Sequence, residues 1–215
     1  CDLRIDWQNT RLKLFTEKLK KELESKGLHM RPGFWLSREF FVADGSTGIA
    51  LPFYLAHPRL KRLELAQMGE VEGGSDRDLM KLLRHECGHA MENAFHLRKL
   101  RERQRVFGKT SLPYQKYYEP RIYSRNYVRH IEAGYAQSHP DEDFAETFAV
   151  WLTPRSAWKK KYANWPALKK LEYMDELMNS LQGKRPLLID REKIEPLSEL
   201  TQTLGQWYRR KKKYQ

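Results

Sequence analysis

The stretch Leu79-Met80-Lys81-Leu82-Leu83-Arg84-His85-Glu86-Cys87-Gly88-His89-Ala90 places two histidines four residues apart, with a glutamate after the first. Residues at that spacing lie on one face of a helix, so His85 and His89 can offer imidazole nitrogens to a single ion. Glu86 projects beside that ion, where its carboxylate can take a proton from water. Zinc lowers the pKa of bound water toward ~7, and the carboxylate completes the making of a nucleophile. The flanking residues predict the helix. Gly73-Gly74 breaks the chain, Ser75 followed by Asp78 reads as a capping box, and Leu79, Leu82, Leu83, Cys87, Ala90 and Ala94 form a nearly continuous apolar face. The expectation is a central, buried helix carrying one zinc ion per chain.

Two histidines leave zinc short of its usual three protein ligands. The extended pattern that adds a glycine three and a histidine six residues after the second histidine fails, because Glu92 and Phe95 occupy those positions. His96 misses the slot by one residue. An acidic helix downstream is the better donor. It begins at Ser138 or His139, with Pro140 in its first turn and Asp141, Glu142 and Asp143 at its positive end, and it stops before Pro154. Glu142 and Glu146 share a face of that helix, and buried carboxylates without a cation are costly, so both are expected to face the metal. Complementing the helix dipole accounts for Asp141 and Asp143, but less well for Glu146, which sits a turn further in between Ala145 and Phe148.

Around these helices, Leu12, Phe15, Leu19 and Leu23 predict an amphipathic helix over Thr10 to Lys26, stopped by Gly27. Gly33 to Val42 is extended in character. Asp44-Gly45 turns the chain into Gly48-Ile49-Ala50-Leu51-Pro52-Phe53-Tyr54-Leu55, a second strand that Pro52 assigns to a sheet edge. Phe107 to Tyr127, with five tyrosines and no clean period, reads as a long ordered loop over the cleft or packed beside it. Leu168 to Gln182 and Pro196 to Tyr208 read as peripheral helices. The expected fold class is α+β, a small mixed sheet with an edge strand beside the buried metal helix and a helical C-terminal part. One domain over 1–215 with a basic tail at about 206–215 fits the length.

Hydrophobic residues make up 40% of the chain and aromatics 12%, which is a globular and not a disordered composition. No apolar run approaches the ~20 residues that cross a bilayer, so no transmembrane segment is expected. The two cysteines, Cys1 and Cys87, cannot form a disulfide framework, and free thiols favour a reducing compartment. A cysteine at position 1 is also the residue that a processed lipoprotein presents. The formal charge of +12 comes from 40 Lys and Arg against 28 Asp and Glu. Its clusters at Arg98 to Arg105, Lys159 to Lys161 and Arg209 to Lys213 suggest an anionic partner, or else a solvated surface and a frayed tail. No helix-turn-helix, zinc-finger or RNA-binding signature accompanies them.

The segment Tyr135 to Phe148 resembles the third-ligand helix of lethal-factor-type gluzincin metallopeptidases, whose Glu-x-Phe-Ala-Glu run matches Glu142-Asp143-Phe144-Ala145-Glu146. The resemblance implies a zincin-like fold. It also implies that Glu142 is the third metal ligand, that Glu146 is a supporting carboxylate beyond it, and that Tyr135, seven residues upstream, stabilises the transition state. From Phe34 to Trp151 the chain is also similar to a bacterial family of zinc-binding metallopeptidases. That likeness lies in Gly48 to Pro58, Leu83 to Ala90 and His139 to Leu152. It implies a zinc-dependent endopeptidase that acts on protein or peptide substrate. The Gly48 to Leu55 strand would pair with an extended peptide, Glu86 would shuttle protons and Tyr135 would steady the oxyanion. His57, His130 and His139 are further candidates to touch substrate. Two other readings stand beside this one: a zinc-stabilised binding module for an anionic partner, and a protease recruited to nucleic acid or an anionic envelope polymer. Intact Glu86 favours catalysis, since a structural zinc site needs no general base.

Overall fold

The computed structural model describes residues 5–115, 117–132, 134–190 and 192–213, and Cys1 lies outside them. Leu12, Leu19 and Leu23 are fully buried along helix α1 (Arg11–Ser25), and Gly27, at φ +70°, ends it in the conformation that glycine adopts most readily. The chain then forms β1 (Phe34–Ser37) and β2 (Ile49–Pro52), which pair in parallel with Phe34 opposite Ile49 and Ser37 opposite Pro52. The turn at Asp44-Gly45 folds the intervening segment back, but it pairs only Phe41 with Ala50, as a single antiparallel bridge.

This arrangement corrects the expectation that β2 offers its edge to a peptide. Ile49 donates to Gly33 O on the β1 side. On the outer side, Ala50 N–H donates to Phe41 O, Gly48 N–H to Ser46 Oγ, and Pro52 has no N–H. All four β2 residues are buried. No donor remains there for strand addition.

Beyond the sheet come α2 (Pro58–Met68), α3 (Asp76–Ala94), α4 (Arg101–Phe107), α5 (Pro140–Leu152), α6 (Trp158–Lys161), α7 (Leu168–Ser180) and α8 (Leu204–Lys211). The fold is thus α+β and mostly helical. No helix among the described residues is long and apolar enough to cross a membrane. The α3–α5 pair forms the centre, and its neighbours dock onto it through buried ion pairs. Arg84 on α3 makes a two-pronged contact with Glu22 on α1, at 2.7 and 2.8 Å. Lys170 on α7 lies 2.6 Å from Asp143 on α5. Arg103 on α4 is fully buried, with Nη2 2.7 Å from both Glu92 and Asp141.

Two of the basic runs are therefore partly internal. Arg98 and Arg103 face Glu92 and Asp141 inside the fold. The C-terminal run is not a frayed tail up to Lys211: Trp207 packs edge-on against Phe53 at 5.2 Å, and Lys211 Nζ lies 2.9 Å from the buried Glu64. Deleting Arg209 onward would remove that ion pair, so the segment is not separable from stability.

Candidate metal centre

Ser75 caps α3 by accepting the Asp78 N–H at 3.1 Å, which starts the helix in the register that turns His85 and His89 toward α5. His139 caps α5 in the same way: its Nδ1 accepts the Asp141 N–H at 3.1 Å, and Pro140 follows in the first turn. The two helices touch at Gly88 and Ala145, where a Cβ on Gly88 would stand 2.8 Å from Ala145 Cα. Only a residue with no side chain allows that approach.

Close packing brings together the residues singled out from the sequence. His85 Nε2 and His89 Nε2 are 3.2 Å apart, and Glu142 Oε2 lies 3.0 and 3.4 Å from them. One donor atom from each of the three falls within 4.8 Å of the others, and all three residues are buried. Two imidazoles and a carboxylate form the donor set that zinc takes in catalytic sites, so these residues fit the ion.

Glu146 occupies a different position. Its Oε1 lies 3.0 Å from His85 Nδ1, the ring nitrogen pointing away from His89, and its Oε2 accepts the Ile131 N–H at 3.1 Å. Both carboxylate oxygens are thereby satisfied although the residue is fully buried. Burial pulls the His85 pKa down, but hydrogen bonds to Glu142 and Glu146 outweigh it and hold it at about 10. The same bonds to His85 and His89 overcome the effect of burial on Glu142 and keep that carboxyl well below its ordinary range.

Glu86 contrasts with both. It is 8% exposed, its carboxylate makes no hydrogen bond among the described residues, and burial raises its pKa. An acid held near two imidazoles, with its oxygens uncommitted, is chemically suited to accept a proton from water.

Two tyrosines close the site. The Tyr135 ring centroid is 5.5 Å from that of His85, and burial together with the nearby Glu142 carboxylate pushes its phenol pKa up. Tyr114, from the long loop, donates its hydroxyl to Glu142 Oε1 at 2.8 Å while its ring stacks on His139 at 3.8 Å. Sequence reasoning reached the loop but not Tyr114. The tyrosine density was a signal, yet the loop has no period from which to choose one residue. His85, Glu86, His89 and Glu142 are between 2% and 9% exposed, and Tyr114 is among the residues that touch Glu142.

The three further histidines have local work. His57 caps α2 by accepting the Arg59 N–H, and His139 caps α5 and donates to Leu112 O at 2.8 Å. His130 donates to Lys81 O at 3.0 Å.

Residues 53–201, more than half of the chain, match the family described as putative zinc-binding metallo-peptidase, and the chain belongs to that family. No curated protein and no solved structure matches it.

Proposed function

We propose that the protein is a zinc-dependent endopeptidase with His85, His89 and Glu142 as metal ligands and Glu86 as general base. The observation that carries this reading is the juxtaposition of a buried three-donor cluster with a buried glutamate whose oxygens are uncommitted. A bound zinc ion supplies Lewis acidity to the scissile carbonyl and to the attacking water. Glu86 takes the proton from that water and delivers it to the leaving amine. Glu146 fixes the ring orientation of His85 by accepting from Nδ1, which leaves Nε2 for the metal. Tyr135 offers a hydroxyl to the negative charge that develops on the carbonyl oxygen. The strand-addition route of substrate binding has no place in this scheme, because the outer donors of β2 are spent.

The test is Glu86→Gln assayed against a proteome-derived peptide library, with zinc content measured in parallel. The scheme requires full zinc and no cleavage, because the substitution removes a base and not a ligand. Cleavage at the wild-type rate would refute the role of Glu86.

A further inference from the structure

A cavity between α1, the N-terminal half of α3 and the C-terminal end of α5 has an unusual lining. It encloses about 500 Å3, and thirteen residues line it, six of them cationic: Lys18, Arg77, Lys81, Arg84, Arg129 and Lys161. That is nearly half the lining, against 40 Lys and Arg in 215 residues for the whole chain. These side chains come from four separate stretches of sequence, so no single charge run explains their meeting.

Neutralisation is also missing here. Asp76 is the one carboxylate in the lining, and Arg11 Nε already holds it at 2.6 Å. Of the six cations, Arg84 alone pairs with a carboxylate among the described residues, and its partner Glu22 is buried and not part of the lining. Neutral groups meet four of the remaining heads: Arg129 Nη2 donates to Ile122 O at 2.7 Å, Lys81 Nζ lies 3.5 Å from Ile131 O, and Lys18 and Lys161 lie 5.9 and 5.2 Å from the Phe15 and Tyr162 ring centroids. By contrast, four cations that dock one element onto another, Arg98, Arg103, Lys170 and Lys211, each face an acid. Five like charges around one concavity repel one another, and an anion bound among them relieves that repulsion. Ser156 adds a hydroxyl to the lining.

We propose that this cavity binds a compact ligand carrying two or more phosphoryl groups. One carboxylate would neutralise a single charge, whereas each phosphoryl brings about −1.5 to −2, so two or three match the excess. The volume is that of a small-molecule pocket. The cavity is separate from the metal centre. Residues 129–131 lie between them, with His130 bonded to Lys81 O and Ile131 to Glu146. The proposal therefore does not depend on peptidase activity.

The experiment is calorimetric titration of the full chain with inorganic pyrophosphate at low salt. It compares wild type with Arg77→Gln/Lys161→Gln and with Arg209→Gln/Arg210→Gln, which remove equal charge from two exposed places. Any heat from pyrophosphate drawing on the metal is common to all three proteins and drops out of the comparison. A second arm measures cosedimentation with neutral vesicles, with and without a lipid bearing a multiply phosphorylated headgroup. The expected result is saturable binding by one probe or both, roughly tenfold or more weaker in the cavity pair and little changed in the tail pair. Headgroup-dependent sedimentation that pyrophosphate competes away identifies a lipid source, and pyrophosphate binding without sedimentation identifies a free ligand. Equal weakening in both variant pairs, or no saturable binding to either probe, overturns the proposal.

Discussion

Gly88 and Ala145 set the distance between the two helices that carry the centre, since a methyl on Gly88 would stand 2.8 Å from Ala145 Cα. The obstacle is backbone, so it cannot rotate aside, and relief requires the helices to part. Gly88→Ala is expected to cost about 1–3 kcal/mol through overpacking. It should also lower zinc affinity, because parting the helices draws Glu142 and Glu146 away from His85. Thermal unfolding and zinc titration check the two effects together, and a variant that loses neither would mean that the crossing has slack.

Arg103 joins α4 to both α3 and α5, facing Glu92 near the end of α3 and Asp141, the neighbour of Glu142 on α5. Removing it leaves two buried carboxylates with Arg98 as their remaining cation. Arg103→Ala is expected to destabilise by about 3–5 kcal/mol, a fall in Tm on the order of 10 °C for a chain of this size. Calorimetric unfolding reads this directly.

Tyr114 is 60% exposed as a residue although its hydroxyl reaches Glu142, so the contact can open without disturbing the core. Tyr114→Phe removes a hydrogen bond to a carboxylate, worth about 1.5–3 kcal/mol locally. Amide exchange over 108–114 should quicken by roughly tenfold or more while Tm stays near wild type. Unchanged exchange would show that other contacts hold the loop.

Tyr135 is assigned a different task, and its variant should behave differently. Tyr135→Phe is expected to lower kcat by about 10²–10³ with KM and zinc content little altered, as for loss of one oxyanion donor. Turnover at the wild-type level would remove Tyr135 from the chemistry.

The glutamates are expected to differ in degree. Glu142→Ala should nearly abolish zinc retention, whereas Glu146→Ala should weaken it by about 10–100-fold, the usual effect of losing a group that orients a liganding histidine. Competition against a chelator separates the two outcomes.

Much of this centre was legible because its signals are local. The leucine spacing and Gly27 bound α1 within a residue at each end, Ser75 and the apolar face located α3, and Pro140 with its acids located α5. Helices α2 and α4 escaped notice because both are dense in charge and show little apolar period. The parallel pairing of β1 with β2 was also hidden. The Asp44-Gly45 turn is a local signal, whereas the choice of Gly33 O as the partner of Ile49 depends on packing from elsewhere. Arg98 and Arg103 read as surface charge because their acids, Glu92 and Asp141, come from other helices. For the same reason Tyr114 could not be told from the loop's other tyrosines.

The central claim is that His85, His89 and Glu142 hold one zinc ion, with Glu146 outside its coordination sphere. The most direct measurement is a crystal structure of the zinc-loaded protein, with anomalous diffraction recorded at the zinc edge. The account predicts one anomalous peak per chain, ~2.0–2.1 Å from a nitrogen of each histidine and ~2.0–2.2 Å from a Glu142 oxygen. Glu146 should remain on His85 Nδ1. A peak bound by Glu146 with Glu142 turned to solvent, or a peak away from His85 and His89, would contradict it.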